Sequence, residues 1–121
     1  MTLAKQLEFL RAREGECRLA AFGDLGARIV LRNSSAAAHP QEYLDDLCQQ
    51  ASRGFTLLDA ATGPATPADD ILVLTPGETR VFVRAADGSG DAVLCVCGSA
   101  EAAARLVAPA RDLLAALAGE A

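Results

Sequence analysis

ILVLTPGETRVFVRAADGSGDAVLCVCG, running from Ile71 to Gly98, holds three apolar runs divided by two turn sequences. Ile71–Thr75 is apolar up to its threonine. Pro76-Gly77-Glu78 follows it, and proline before glycine is turn chemistry. Thr79–Ala85 alternates: Val81, Val83 and Ala85 fall on one face, and Arg80, Phe82 and Arg84 on the other. Asp87–Gly90 (DGSG) makes a second hairpin turn and leads into Ala92–Gly98. Adjacent strands joined by such tight turns form an antiparallel sheet.

Helical signals lie on both sides of this stretch. Ser99 is a good N-cap, and Glu101 suits the first helical turn. Leu106, Ala110, Leu113 and Leu117 then recur as a stripe, flanked by Val107 and Leu114. Pro109 falls inside and predicts a kink. Upstream, Thr62–Asp70 (TGPATPADD) is a loop by composition. Before it, Tyr43, Leu47, Ala51, Phe55 and Leu58 recur at helical spacing, and Leu44 and Cys48 widen the stripe. The phase carries through Gly54, so we expect one helix over Pro40–Ala60. The alternative ends it at Gly54 and makes Phe55–Leu58 a strand.

The N-terminal third supplies a helix and a hairpin. Thr2 caps a short helix with Leu3, Leu7 and Leu10 on one side, ended by Glu14-Gly15-Glu16. Cys17–Phe22 and Ala27–Arg32 are two apolar runs around Gly23–Gly26, which predicts a β-hairpin. Asn33–Pro40 is expected to be a loop. The order is therefore α-β-β-α-β-β-β-α, an α+β fold. Leu19–Phe22 and Val93–Cys97 are apolar on both faces, so they belong at the centre of a five-stranded sheet covered by helices on each side.

Composition narrows the function. The 121 residues are 51% hydrophobic and 22% charged, enough apolar surface for the core of one domain, residues 1–121. The net charge of −5 disfavours nucleic acid and anionic membrane surfaces. No apolar run reaches the roughly 18 residues needed to span a bilayer. The N-terminus is amphipathic and charged, unlike a signal peptide, which predicts a cytoplasmic protein. One lysine (Lys5) stands against ten arginines in an alanine-rich chain, the bias of a high-GC bacterial genome.

No residue pattern points to catalysis, a metal or a cofactor. Cys95 and Cys97 point to the same face of a strand, and without a second ligand pair they are expected to be small, reduced core residues. Cys17 and Cys48 are isolated in sequence. His39, the only histidine, precedes Pro40 in a loop with no orienting group beside it. Asp45-Asp46 and Asp69-Asp70 suit solvation and capping. Gly23–Gly26 and Gly88–Gly90 lack the helix and lysine of a phosphate cradle. Asp87–Asp91 lacks the ligands of a calcium loop. What remains is surface: a wholly apolar Ile71–Thr75 at a sheet edge cannot stay bare. Pairing across a two-fold axis solves that, and so would cover from a helix or from the Thr62–Asp70 loop.

The order of elements resembles the Roadblock/dynein light chain family over nearly the whole chain. Ile71–Gly98 followed by SAEAAARLVAPARDLLAAL matches its second half. CRLAAFGDLGARIVLR and the helix from Pro40 match its first. The first turn departs from the family's frequent Asp-Gly, and Gly54 and Pro109 interrupt its helices. The resemblance implies a profilin-like α+β fold and a homodimer whose sheets join through Ile71–Thr75, with the helices over Pro40–Ala60 side by side. Tyr43, Leu47, Phe55, Leu58, Ile71 and Val73 are then the expected interface residues. It further implies a non-enzymatic regulator or scaffold of a small Ras-like GTPase, with no cofactor. A secretion chaperone binding an unfolded effector segment is the alternative, although such proteins tend to place three strands before two. A small-molecule sensor domain ranks last, for want of convergent polar groups in the apolar runs.

Overall fold

A computed structural model gives the structure of residues 1–64 and 68–119. The elements are α1 (Leu3–Ala12), β1 (Cys17–Asp24), β2 (Ile29–Ser35), α2 (Gln41–Thr62), β3 (Asp70–Thr75), β4 (Glu78–Arg84), β5 (Asp91–Cys97), α3 (Ala100–Arg105) and α4 (Val107–Gly119). The strands form one sheet in the order β2-β1-β5-β4-β3. Every neighbouring pair is antiparallel. The two-faced apolar strands β1 and β5 lie inside, as their composition requires. The Ile71–Thr75 run becomes an edge.

Each face of the sheet has its own core. On one, Leu7 and Leu10 of α1 meet Ala102, Ala103, Leu106, Leu113 and Leu114 over Val81, Val83, Val93 and Cys95. On the other, Leu44, Leu47, Cys48, Ala51 and Phe55 of α2 lie over Leu19, Ala21, Phe82, Leu94 and Val96. The alternation along β4 sorts its side chains between these two layers. Burial of each large aliphatic side chain stabilises the fold by about 1.5–3 kcal/mol.

The capping logic holds at α1 and α3. Thr2 Oγ1 accepts from the Lys5 N–H at 3.2 Å, and Ser99 Oγ from the Ala102 N–H at 3.2 Å. Pro40 stands one place before α2 with ψ 147°, its carbonyl accepting from the Tyr43 and Leu44 amides. The helix then runs through Gly54 to Thr62, so Phe55–Leu58 is not a strand. It stops at Gly63, whose φ of 69° breaks the helical path. Residues 65–67 of the expected Thr62–Asp70 loop lie outside the described residues.

Three boundaries depart from the sequence expectation. The first hairpin turns over residues 25–28, not over Gly23–Gly26. Asp24 organises it: its Oδ1 accepts from the Gly26 and Ala27 amides at 2.9 and 3.2 Å, and its carbonyl from the Arg28 amide. Gly23 is instead a buried strand residue beneath α2. Second, Asn33–Ser35 continue β2 against Leu19–Ala21, where the expectation was a loop. Asn33 is exposed there, and Ser34 accepts from Arg11 Nε of α1 at 3.0 Å. Third, the last helix is broken in two, not merely kinked. Pro109 has no N–H for the Arg105 carbonyl, so α3 ends there and α4 restarts with Ala110 bonded to Leu106.

Gly23 gives a stability prediction. A Cβ there would lie 3.1 Å from Cys48 Sγ and 3.1 Å from the Ile29 carbonyl, a backbone atom that cannot swing away. Gly23→Ala is expected to cost about 1–3 kcal/mol through this overpacking. Urea unfolding measures it, and an unchanged midpoint would show that α2 and β2 can withdraw freely.

Candidate interaction surface

The two sheet edges are built differently. At β2, the ladder with β1 is interrupted by a register shift beside Leu31. Arg28 and Arg32 are exposed around Ile29 and Leu31. Asp45 reaches from α2 to accept the Val30 N–H at 3.4 Å, and Gln41 holds the same carboxylate oxygen at 2.9 Å. Bulges, charges and side-chain caps of this kind discourage strand addition. On β3, Asp70–Thr75 pair with Glu78–Val83 in unbroken register, and no charged residue follows Asp70. Leu74 is 69% exposed at this edge.

The start of β3 is fixed by charges. Arg84 donates to Asp69 Oδ1 at 3.1 Å, to the Ala68 carbonyl at 2.9 Å and to Asp59 Oδ2 at 2.9 Å. Its guanidinium lies 4.5 Å from the centre of the Phe55 ring. Hydrogen bonding from Arg84 holds the Asp59 carboxyl below its ordinary pKa. Arg111 of α4 pairs with Asp70. The last turns of α2, the start of β3 and the end of β4 are thereby held in one arrangement.

Beside this edge runs a flank of α2 that the chain's own sheet does not cover. Gly54 brings the helix against β3: a Cβ there would lie 3.1 Å from Ile71 Cδ1. Leu57, one turn on, is 71% exposed. Toward the start of the helix, Tyr43 donates to Glu78 Oε2 at 3.2 Å and stacks on His39 with ring centres 5.0 Å apart. Arg80 bonds Glu78 at 2.8 Å and Gln50 at 2.8 Å, with its guanidinium 5.8 Å from the Tyr43 ring centre. Burial, aided by the Glu78 charge, pushes the Tyr43 phenol above its ordinary pKa. The flank thus has a polar, internally satisfied end and an apolar end.

The six expected interface residues divide. Tyr43, Leu58, Ile71 and Val73 lie partly exposed along the α2–β3 flank, packed against the margin of the core. Leu47 and Phe55 are 0% and 2% exposed within that core. Their side chains are consumed by α2's contact with its own sheet. Leu57 and Leu74 escaped the sequence reading. Leu57 lies off the stripe, and Leu74 is on the face of β3 opposite Ile71 and Val73.

No protein-family model matches the sequence, and no curated protein matches it either. Solved structures do match. The Roadblock/LC7 domain from Streptomyces avermitilis superposes with a TM-score of 0.76 at 16% identity, covering 99% of this chain and 98% of that one. This chain has the Roadblock/LC7 fold. The gliding protein MglB from Thermus thermophilus shares the fold at a TM-score of 0.76 and 19% identity, over 97% of this chain and 88% of that one. A second MglB structure, in a tetrameric arrangement, gives 0.75 at 19% identity, over 96% and 87%. The Roadblock/LC7 likeness thus spans both cores, both edges and the α2 flank. Among the described residues no helix is long and apolar enough to cross a membrane.

Proposed function

We propose that this chain is a non-catalytic regulatory or scaffold protein of the cytoplasm. It acts as a homodimer and binds a small Ras-like GTPase. The observation that carries the dimer is the contrast between the edges. β2 is bulged, charged and capped, whereas β3 is regular and apolar, with Leu74 exposed. A flat apolar edge is satisfied by a second copy of itself across a two-fold axis. The sheets would then join through β3, and the α2 helices would lie side by side along Tyr43, Gly54, Leu57 and Leu58. Ile71, Val73 and Leu74 would line the join.

The GTPase rests on fold-level analogy. The Roadblock resemblance implies it, and a gliding protein stands among the structural matches. The test is recovery of the tagged protein from its native lysate, with mass spectrometry of what accompanies it. A small Ras-like GTPase enriched in one nucleotide state is the expected result. An extended secreted polypeptide in its place would establish the chaperone reading. Self-association without a reproducible partner would leave the dimer and remove the GTPase.

A further inference from the structure

Three of the four cysteines, far apart in sequence, meet on the sheet face covered by α1, α3 and α4. Cys17, Cys95 and Cys97 all belong to that core. Cys17 lies directly opposite Cys97 in the β1–β5 ladder, and Cys95 sits opposite Ala20 on the same face. Directly opposed residues of antiparallel strands have Cα atoms about 4.5–5.5 Å apart. A disulfide spans about 4.4–6.8 Å. Cys95 and Cys97 belong to one strand, two residues apart, where extended backbone holds their Cα atoms at about 6.5 Å, near the limit of that span. The register therefore favours one pair, Cys17 with Cys97.

The surroundings suit exchange at Cys17. It is the most exposed of the three, at 6%. A register shift between Cys17 and Leu19 places it at the loosened end of the ladder. Its thiol donates to the Leu19 carbonyl at 3.3 Å, and the neighbouring Cys95 and Cys97 thiols, with Arg11 nearby, hold its pKa below that of an ordinary thiol. The turn over residues 13–16 leads directly into it, with the Cys17 amide donating to the Glu14 carbonyl at 2.9 Å. Arg105 Nε donates to Glu14 at 2.7 Å, Ser99 Oγ to Glu16 at 3.0 Å, and the Gly98 amide to the Glu16 carbonyl at 3.1 Å. These three contacts hold the turn against the segment from the end of β5 through α3. Among the described residues no three His, Cys, Asp or Glu side chains are placed to hold a metal ion, so a metal does not account for the cluster.

We propose that Cys17 and Cys97 form a reversible disulfide across β1 and β5 by exchange with a small-molecule disulfide. The Cys17 thiolate attacks one sulfur of that oxidant, forming a mixed disulfide and releasing one small thiolate. The Cys97 thiolate then attacks the Cys17 sulfur, forming the protein S–S bond and releasing the second. The two protons from Cys17 and Cys97 go to the two released thiolates. The protein loses two electrons and the oxidant gains them. The bond ties the start of β1 to the end of β5 on the face opposite α2.

The native full-length chain, incubated with glutathione disulfide, tests this. Free thiols are then counted after denaturation, and cross-linked peptides are identified by mass spectrometry. The free-thiol count is expected to fall from four to two, the mass to drop by two hydrogens, and one peptide to join Cys17 to Cys97. Dithiothreitol should restore all the thiols. Cys17→Ala should keep its three remaining thiols, and Cys97→Ala should stop at the mixed disulfide, losing one thiol and gaining one glutathione on Cys17, while Cys95→Ala and Cys48→Ala still lose two. Four free thiols after exposure of the native chain would overturn the proposal, as would a link between any other pair. Loss of the bond in Cys95→Ala would overturn the pairing deduced from the register.

Discussion

Leu74→Asp is expected to turn the associated protein into a folded monomer. Leu74 is 69% exposed, so the substitution removes almost nothing from the core of one chain. In a two-fold β3 join each copy contributes its own Leu74, and every loss is counted twice. Burying one leucine is worth about 1.5–3 kcal/mol. Two carboxylates brought into an apolar join add desolvation and repulsion. The dimer should dissociate at least ~100-fold more readily, which corresponds to about 3 kcal/mol. Sedimentation equilibrium measures the association, and circular dichroism with urea unfolding of the monomer checks the fold. Ile71→Asp and Val73→Asp act on the same edge but are harsher, because both side chains also pack against the α2 core. An unchanged association constant in Leu74→Asp, with the chain still folded, would remove β3 from the interface.

The parts of the fold that were legible share one property: the information is local. Thr79–Ala85 alternates and lies between two turn sequences, so its strand and both faces follow from a few neighbouring residues. β1 and β5 are apolar on both faces, which places them centrally whatever their partners. The misread parts depend on distant residues. Gly23 looks like a turn glycine until Cys48 is found 3.1 Å from where its Cβ would be. Asn33–Ser35 carry no strand pattern, and it is β1 that supplies their ladder. The pairing of Cys17 with Cys97 exists only in the register of strands that are far apart along the chain.

The candidate surface shows the same division. That Ile71–Thr75 needs cover follows from its composition, because a bare apolar edge is unstable against association. Which side of α2 accompanies it does not. The helix has apolar residues around more than one stripe, and period alone cannot say which stripe meets the chain's own sheet. Two close contacts decide it: Gly23 under Cys48 on one side of the helix, and Gly54 against Ile71 on the other. Between them Leu47 and Phe55 turn inward, and Leu57 is left outside.

Leu47 and Leu57 should consequently respond in opposite ways to truncation. Leu47 is 0% exposed on the sheet-facing side of α2, and Leu47→Ala leaves a cavity where the helix meets the sheet. Its expected cost is about 2–5 kcal/mol of chain stability. Leu57→Ala removes a side chain that touches mainly water, so chain stability should stay within about 0.5 kcal/mol while association weakens. Because association adds to the apparent stability of a dimer, both substitutions belong in the Leu74→Asp background for unfolding, and in the otherwise unaltered chain for sedimentation. A Leu47→Ala chain that unfolds at the unaltered midpoint yet associates poorly would place Leu47 at the join rather than in the core. A Leu57→Ala chain that associates normally would confine the join to the β3 edge and leave the α2 flank out of it.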